Sequence, residues 1–322
     1  MPLVSSSTYR VSWPFTNAHV NTIYPALFRR SPDLPYRRET LTTPDGDFLD
    51  LDWLENGNDC LVIGLHGLEG NTQRHYLKGI FRYFHARGWD TLGVNFRSCS
   101  GRYNDKLRMY NMGESHDLSL VVQHALQRPY KTIALTGFSL GGGVVLKYLG
   151  ESGPYLPSAV KVGVAFSVPI DLLSANVAIA GRQNILYLKR FMRTLNEKLR
   201  YKANQFPGYL ALNGQMPKDF AGFDGNYTGP IHGYASAEDY WYSCSSIHFL
   251  PNINRSTLII NAADDTFLGP SCYPRTLADA HRKVHLEVPR YGGHCGFYSS
   301  NKDGSYWHEQ RAYEFVTEQL AE

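Results

Sequence analysis

Residues 131–150 read KTIALTGFSLGGGVVLKYLG, and the fold turns on how this stretch is parsed. Ile133, Ala134 and Leu135 form the short apolar run of a buried strand. Val144, Val145, Leu146, Tyr148 and Leu149 suit a helix that is buried or nearly so. Between them stands Gly137-Phe138-Ser139-Leu140-Gly141, a G-x-S-x-G pentapeptide. A strand that bends sharply into a helix holds the residue at the bend in strained geometry with its side chain exposed. The residues two before and two after must then lack side chains, or strand and helix collide. Glycine meets that demand. The following helix aims its free N–H groups and positive dipole end at the serine, where an oxyanion would develop. Alone the pentapeptide is a weak signal, because a serine in a glycine-rich turn commonly caps a helix. The flanking strand and helix strengthen the reading of Ser139 as a nucleophile.

Outward from this point, strands and helices alternate. Cys60 to Leu65 and Trp89 to Phe96 read as buried strands, with a helix from Thr72 to Arg87 between them that stops at Gly88. Glu114 to Leu126 is an amphipathic helix, and Ala159 to Phe166 another strand. RRETLTT, the turn Pro44-Asp45-Gly46 and FLDLDWL read as an edge hairpin. Strands that are apolar throughout imply a mostly parallel sheet with helices on both faces, an α/β class. From Pro169 to about Asn252 no convincing strand occurs. Ile185, Leu188, Met192, Leu195 and Leu199 instead recur at helical spacing. The rhythm returns with the strand TLIIN (Thr257 to Asn261), a helix after Pro270, the strand Val284 to Val288 and a helix from about Tyr306 to Leu320. The expected organisation is one domain over 1–322: a core of 36–168 and 253–322, a helical cap inserted at about 169–252, and an N-terminal arm over 1–35.

Composition narrows the function. The 322 residues suffice for a sizeable core, and 43% apolar with 19% charged residues describe a globular chain. A net charge of +3 without a basic block argues against nucleic acid as a partner. Five scattered cysteines without C-x-x-C argue against a disulfide framework or zinc site and for a reducing compartment. No secretory signal or 18-residue apolar run is visible, so a cytoplasmic location is expected. Lys189, Arg193 and Lys198 allow a transient contact with anionic lipid at the membrane periphery, although a solvated helix face is the commoner role of such a run. Neither H-x-x-x-H nor H-E-x-x-H spacing is present for a metal, and no G-x-G-x-x-G or P-loop pattern for a nucleotide. No cofactor or metal is expected.

A serine nucleophile needs a base to take its proton and a third group to orient that base. In the α/β-hydrolase order these follow as serine, acid, histidine. Beyond the strand TLIIN come Asp264 and Asp265, on the rim where such sheets place their sites. Beyond VHLEV comes His294 in the glycine-rich turn Gly292-Gly293-His294-Cys295-Gly296. Taken singly, a strand-end aspartate is usually a turn former and a loop histidine merely exposed. Three such residues in order, each after its own strand, make a Ser139, Asp265, His294 triad the expectation. Adjacent residues leaving a strand point in opposite directions, so only one aspartate can face the histidine. This argument favours neither strongly; Asp265 is taken, and the resemblance below supports it. His66 opens HGLEG, a turn whose backbone N–H at Leu68, with that of Leu140, is expected to form an oxyanion hole. Phe138, His66 and Phe267 are expected to contact the substrate. Cys99 and Cys295 read as small packing residues.

GFSLGG, HGLEG, NFRSCSG, ADDTFL and GGHCGF, with NAHVNTIYPALFRR near the start and PDGDFLDLDW before the first core strand, resemble the YheT-type α/β-hydrolases. The likeness runs through nearly the whole chain, the helical segment included (SVPIDL, HGYASAEDYW). That group is similar to eukaryotic membrane-associated lipid hydrolases and to yeast enzymes that make and cleave medium-chain acyl esters. The resemblance maps the nucleophile to Ser139, the acid to Asp265 and the base to His294, and implies esterase chemistry without fixing a substrate. Two departures stand out: Thr266 where proline is usual, and Ser98 where glycine is.

The expectation is therefore a serine hydrolase of short- to medium-chain acyl or lipid esters, acting on small molecules through an acyl-enzyme. An acyltransferase with the same triad, or a binding protein on a hydrolase scaffold, are the alternatives. The oligomeric state is not legible.

Overall fold

Alternation of apolar strands with amphipathic helices resolves, in a computed structural model, into one eight-stranded sheet. Residues 3–4, 6–210 and 216–321 are described. Positions 1, 2 and 5 of the expected arm, 211–215 of the expected cap, and 322 lie outside them. In chain order the elements are α1 (Ala18–Phe28), β1 (Arg37–Thr42), β2 (Phe48–Leu54), β3 (Cys60–Leu65), α2 (His75–His85), β4 (Asp90–Asn95) and α3 (Ser115–Ala125). Next come β5 (Thr132–Phe138), α4 (Leu140–Ser152), β6 (Val160–Phe166), α5 (Leu172–Ile179), α6 (Ile185–Gln205), α7 (Phe220–Phe223), α8 (Gly229–His232) and α9 (Ala237–Cys244). β7 (Ser256–Ile260), α10 (Arg275–Ala280), β8 (Val284–Glu287) and α11 (Trp307–Ala321) complete the chain.

The sheet order is β1-β2-β4-β3-β5-β6-β7-β8. β1 and β2 pair antiparallel, as do β2 and β4; every later pair is parallel. β4 and β7 are buried along their whole length, so neither shows the alternation of a half-exposed strand. Side chains nevertheless divide by parity. Ile63, Leu65 and Leu135 join Val121 of α3 and Val145 of α4 on one face, while Val62, Ala134 and Phe138 join Phe81 and Phe84 of α2 and Phe315 of α11 on the other. Each large side chain buried in these layers contributes roughly 2–3 kcal/mol. The parallel strands all end on one edge, where β5, β7 and β8 deliver the loops that carry Ser139, Asp265 and His294.

Two boundaries differ from the sequence expectation. The helix expected from Thr72 begins at His75, because Thr72 is spent on side-chain bonds: its hydroxyl donates to Asp52 Oδ2 at 2.5 Å and its N–H to Asn95 Oδ1 at 3.1 Å. After Pro270 the chain makes only a short 3₁₀ turn to Cys272 before α10 starts at Arg275.

Along α6, Met192, Leu195 and Leu199 are buried as their spacing requires, with Lys189, Arg193 and Arg200 exposed. Lys198 departs from the exposed basic face assigned to it. It falls next to Leu199 and Leu195 on the inner stripe, and its Nζ meets Glu69 Oε1 at 2.7 Å and Cys99 Sγ at 3.2 Å. The basic face of α6 is therefore narrower than the sequence implied.

Candidate active site

Ser139 sits between β5 and α4 with φ 53° and ψ −121°, a conformation that L-residues rarely adopt. Two glycines make the bend possible. A Cβ on Gly137 would lie 2.3 Å from the backbone O of Gly141, and a Cβ on Gly141 would lie 2.5 Å from the backbone O of His66. The hydroxyl of Ser139 makes no capping bond to α4. It lies 3.0 Å from His294 Nε2 instead.

His294 arrives on the loop after β8, in which Gly293, Cys295 and Phe297 all have positive φ. Bonds from outside the loop fix the stretch around the imidazole. His294 N–H donates to Thr22 Oγ1 (2.9 Å), Cys295 N–H to Ser167 Oγ (2.9 Å), and Gly293 N–H to Asp264 Oδ1 (2.9 Å). The imidazole stacks on Phe267, ring centroids 4.3 Å apart. Its Nδ1 lies 2.9 Å from Asp265 Oδ2, and Asp265 Oδ1 accepts the Phe267 N–H at 2.9 Å. An ionised carboxylate only accepts, so the network assigns the Nδ1 proton to the bond with Asp265 and leaves Nε2 to accept from Ser139.

The two aspartates thus separate by direction: Asp265 turns to the ring, Asp264 to the backbone of the ring's loop. Burial pushes the Asp264 carboxyl up to about 6, with the neighbouring Asp265 charge adding and the Gly293 N–H opposing. For His294, burial is the largest single influence and opposes the charged form, but the Asp265 carboxylate and, to a smaller extent, Cys295 together outweigh it and raise the imidazole well above its usual range.

The backbone N–H groups of Leu68 and Leu140 have no acceptor among the described residues. Both residues line a narrow apolar cavity of about 120 Å³ that Ser139, His294 and Phe267 also reach. Leu172 and Ile179 of α5, Leu195 of α6 and Phe223 of α7 form much of its far wall. A second cavity of about 500 Å³ opens from the same centre on the side of α1 and α2, and shares Ser139, His294, Leu68 and Phe267.

Two expected substrate contacts do not reach either cavity. Phe138 is fully buried on the opposite face of the sheet, stacked between Tyr76 and Phe166, because strand parity turns it away from the side Ser139 faces. His66 is fully buried as well; its Nε2 accepts the Phe96 N–H at 3.2 Å, and burial pushes its pKa down to about 3. Phe267 lines both cavities. Cys99 is buried and its thiol is pushed up to about 11, burial outweighing Lys198, which suits a packing role.

Sequence reasoning missed Thr22, Ser167, Glu69 and Tyr110. Tyr110 OH donates to Glu69 Oε1 (2.6 Å), completing the Lys198 contact beneath the HGLEG turn. Thr22, Glu69 and Ser167 do lie inside the quoted motifs, which was the available signal. Among the described residues, no group of three or more His, Cys, Asp or Glu is arranged to hold a metal, and no helix is long and apolar enough to cross a membrane.

Comparison with known proteins agrees with this fold. Residues 61–300 match the alpha/beta hydrolase fold family. An Escherichia coli (strain K12) protein named "Putative esterase YheT" is 33% identical over 316 residues, 95% of this chain and 92% of that one. Phospholipase ABHD3 of Bos taurus is 26% identical over 92% of this chain and 74% of its own, and a Saccharomyces cerevisiae monoacylglycerol lipase 24% identical over 87% and 63%. Among solved structures, the Pyrococcus furiosus esterase Pf2001 superposes with a TM-score of 0.60 at 18% identity, covering 89% of this chain and 92% of that one, a likeness of fold.

Proposed function

The chain belongs to the alpha/beta hydrolase fold family, and from that premise we propose that this carboxylic ester hydrolase works through Ser139, His294 and Asp265. The observation that carries the reading is the relay of contacts: Ser139 Oγ to His294 Nε2 at 3.0 Å, and His294 Nδ1 to Asp265 Oδ2 at 2.9 Å. Ser139 Oγ attacks the acyl carbonyl as His294 Nε2 takes its proton, and Asp265 stabilises the imidazolium that forms. The tetrahedral oxyanion is held by the N–H groups of Leu68 and Leu140, each such donor contributing about 3 kcal/mol. His294 then protonates the leaving alcohol, and an acyl group remains on Ser139. Water enters, gives a proton to His294 and attacks the acyl-enzyme, which frees the acid and restores Ser139.

The substrate is a small-molecule ester whose acyl chain, short to medium in length, lies in the narrow apolar cavity. Residues 169–252 act as a helical cap that supplies most of that cavity's far wall, over a core of 36–168 and 253–322, with 1–35 as an arm across it. Labelling with a fluorophosphonate probe tests the reading. Wild type should take up one equivalent and Ser139→Ala none, with p-nitrophenyl butyrate and hexanoate hydrolysis lost in parallel. Equal labelling of both proteins would overturn it.

A further inference from the structure

The larger cavity differs from the acyl cavity in charge. Arg29, Arg74, Lys78 and Arg190 line it, with Glu69 as its one carboxylate among the described residues. Most of these charges are matched locally. Arg29 Nη1 pairs with Glu309 Oε1 at 2.5 Å and its Nη2 donates to the Gly304 carbonyl at 3.1 Å, and Lys78 Nζ pairs with Asp33 Oδ1 at 2.8 Å. Glu69 is matched by Lys198 at 2.7 Å. Two guanidiniums are left over. Arg190, exposed on α6, has no carboxylate partner among the described residues. Arg74 makes one hydrogen bond, from Nη2 to the backbone O of Glu69 at 2.7 Å, which fixes its position and leaves its other N–H groups available.

The surroundings add no compensating negative charge. Arg74 immediately precedes α2, whose first turn carries no acidic residue, so the helix end also favours an anion. His75, in the same wall, is kept neutral by burial and by Arg29 and Arg74, and its Nε2 is buried without a partner among the described residues. The cavity shares Ser139 and His294 with the acyl cavity and is the roomier of the two. An ester bound at Ser139 has two halves. If the acyl half fills the apolar cavity, the alcohol half enters this one.

We infer that the larger cavity receives the alcohol half of the ester, and that this alcohol carries an anionic group, a phosphate or a carboxylate, held by Arg74 and Arg190. The inference rests on the ester-hydrolase reading above and adds a substrate class to it. Ile23, Leu27 and Leu186, exposed apolar residues among the same lining, accommodate the carbon skeleton between the ester and the anion.

Three soluble esters with one acyl group test it: 1-hexanoylglycerol, 3-hexanoylglycerate and 1-hexanoylglycerol 3-phosphate, below their aggregation limits. Charge-assisted contacts from two guanidiniums should raise kcat/KM for an anionic ester roughly 10- to 100-fold over the neutral one, chiefly through KM. The advantage should shrink as KCl is raised. Whether the phosphate or the carboxylate gains more identifies the anion. In the Arg74→Gln/Arg190→Gln double variant the anionic-to-neutral ratio should fall to near one. Because each protein is compared with itself on two esters, a partial loss of folded enzyme cancels from that ratio. Equal kcat/KM on neutral and anionic esters in wild type, or a ratio that survives the double substitution, overturns the inference while leaving the hydrolase reading intact. Failure to cleave any of the three, with no fluorophosphonate labelling, overturns both.

Discussion

Thr22 Oγ1 accepts the backbone N–H of His294 at 2.9 Å, joining the first helix to the imidazole's loop across 272 positions of sequence. The threonine's own proton goes to the Ala18 carbonyl at 2.7 Å, so its lone pairs face the loop. A loop with several residues at positive φ has few bonds of its own, and this one is set from outside by α1, by Ser167 and by Asp264.

Thr22→Val preserves shape and removes the acceptor. A buried N–H left unpaired costs about 1–3 kcal/mol, part of which appears as a misplaced ring. We expect kcat/KM on a p-nitrophenyl ester to fall roughly tenfold, consistent with a loss of about 1.4 kcal/mol. Thr22→Ser, which restores the oxygen, should recover most of it. A purely packing role would make the valine variant the better of the two.

The two aspartates should separate sharply. Asp265→Asn removes the charge that orients and stabilises the imidazolium, and kcat should drop by about 10⁴. Asp264→Asn retains an oxygen for the Gly293 N–H and relieves a carboxyl whose pKa burial has raised to about 6. Its kcat should stay within a few-fold of wild type. Steady-state rates of the two variants at pH 8 decide the assignment.

The pH profile follows from the sign of the His294 shift. The base must be neutral to act, and Asp265 raises its pKa above the ordinary value of 6.5. The acidic limb of kcat/KM should therefore have its midpoint above pH 6.5, with activity lost as pH falls through it. In Asp265→Asn the main influence that raises it is gone, so the midpoint of the residual activity should move down from the wild-type value.

Strain at the bend predicts a stability gain from an inactivating change. Ser139→Gly suits φ 53°, ψ −121° and should raise unfolding stability by about 1 kcal/mol in urea, while Ser139→Ala, which keeps a Cβ, should not.

Arg97 holds a buried cluster far from the chemistry. Its guanidinium bonds Asp117 through Nε and Nη2 (2.9 Å each) and Asp45 and Asp47 through Nη1 (2.9 and 3.0 Å). Arg97→Met would leave Asp47 and Asp117 buried without their cation, and should lower stability by about 3–5 kcal/mol in urea unfolding.

The central strands were legible because burial on both faces selects mostly apolar side chains, and the Ser139 turn because its bend forbids a Cβ at Gly137 and Gly141. What escaped was contact between distant segments. Nothing local distinguishes Thr22 from any helical threonine, or Lys198 from its exposed neighbours, until Glu69 is brought beneath α6. Asp264 and Asp265 are adjacent, and what separates them in space is that one faces the Gly293 amide and the other the His294 ring. Phe138 and His66 misled for another reason: both border site residues in sequence, yet strand parity turns Phe138 under the sheet and backbone bonding keeps His66 inside it. The Ser98 departure from glycine also becomes visible as backbone, since Ser98 has φ 62° and spends its hydroxyl on Asn104.

The chain leaves the sheet after Phe166 and returns at Ser256 on the adjoining strand, so that Val162 and Ser256 are register partners although helices α5 to α9 intervene. Strand pairing there closes on itself whatever the excursion contains. A different excursion grafted between the same two strands would change the far wall of the narrow cavity, while the loops that carry Ser139, Asp265 and His294 would still leave from β5, β7 and β8. Such a graft would also have to supply a substitute for Asn184, whose amide holds Thr266, the residue after Asp265, through two hydrogen bonds of 2.6 and 2.8 Å.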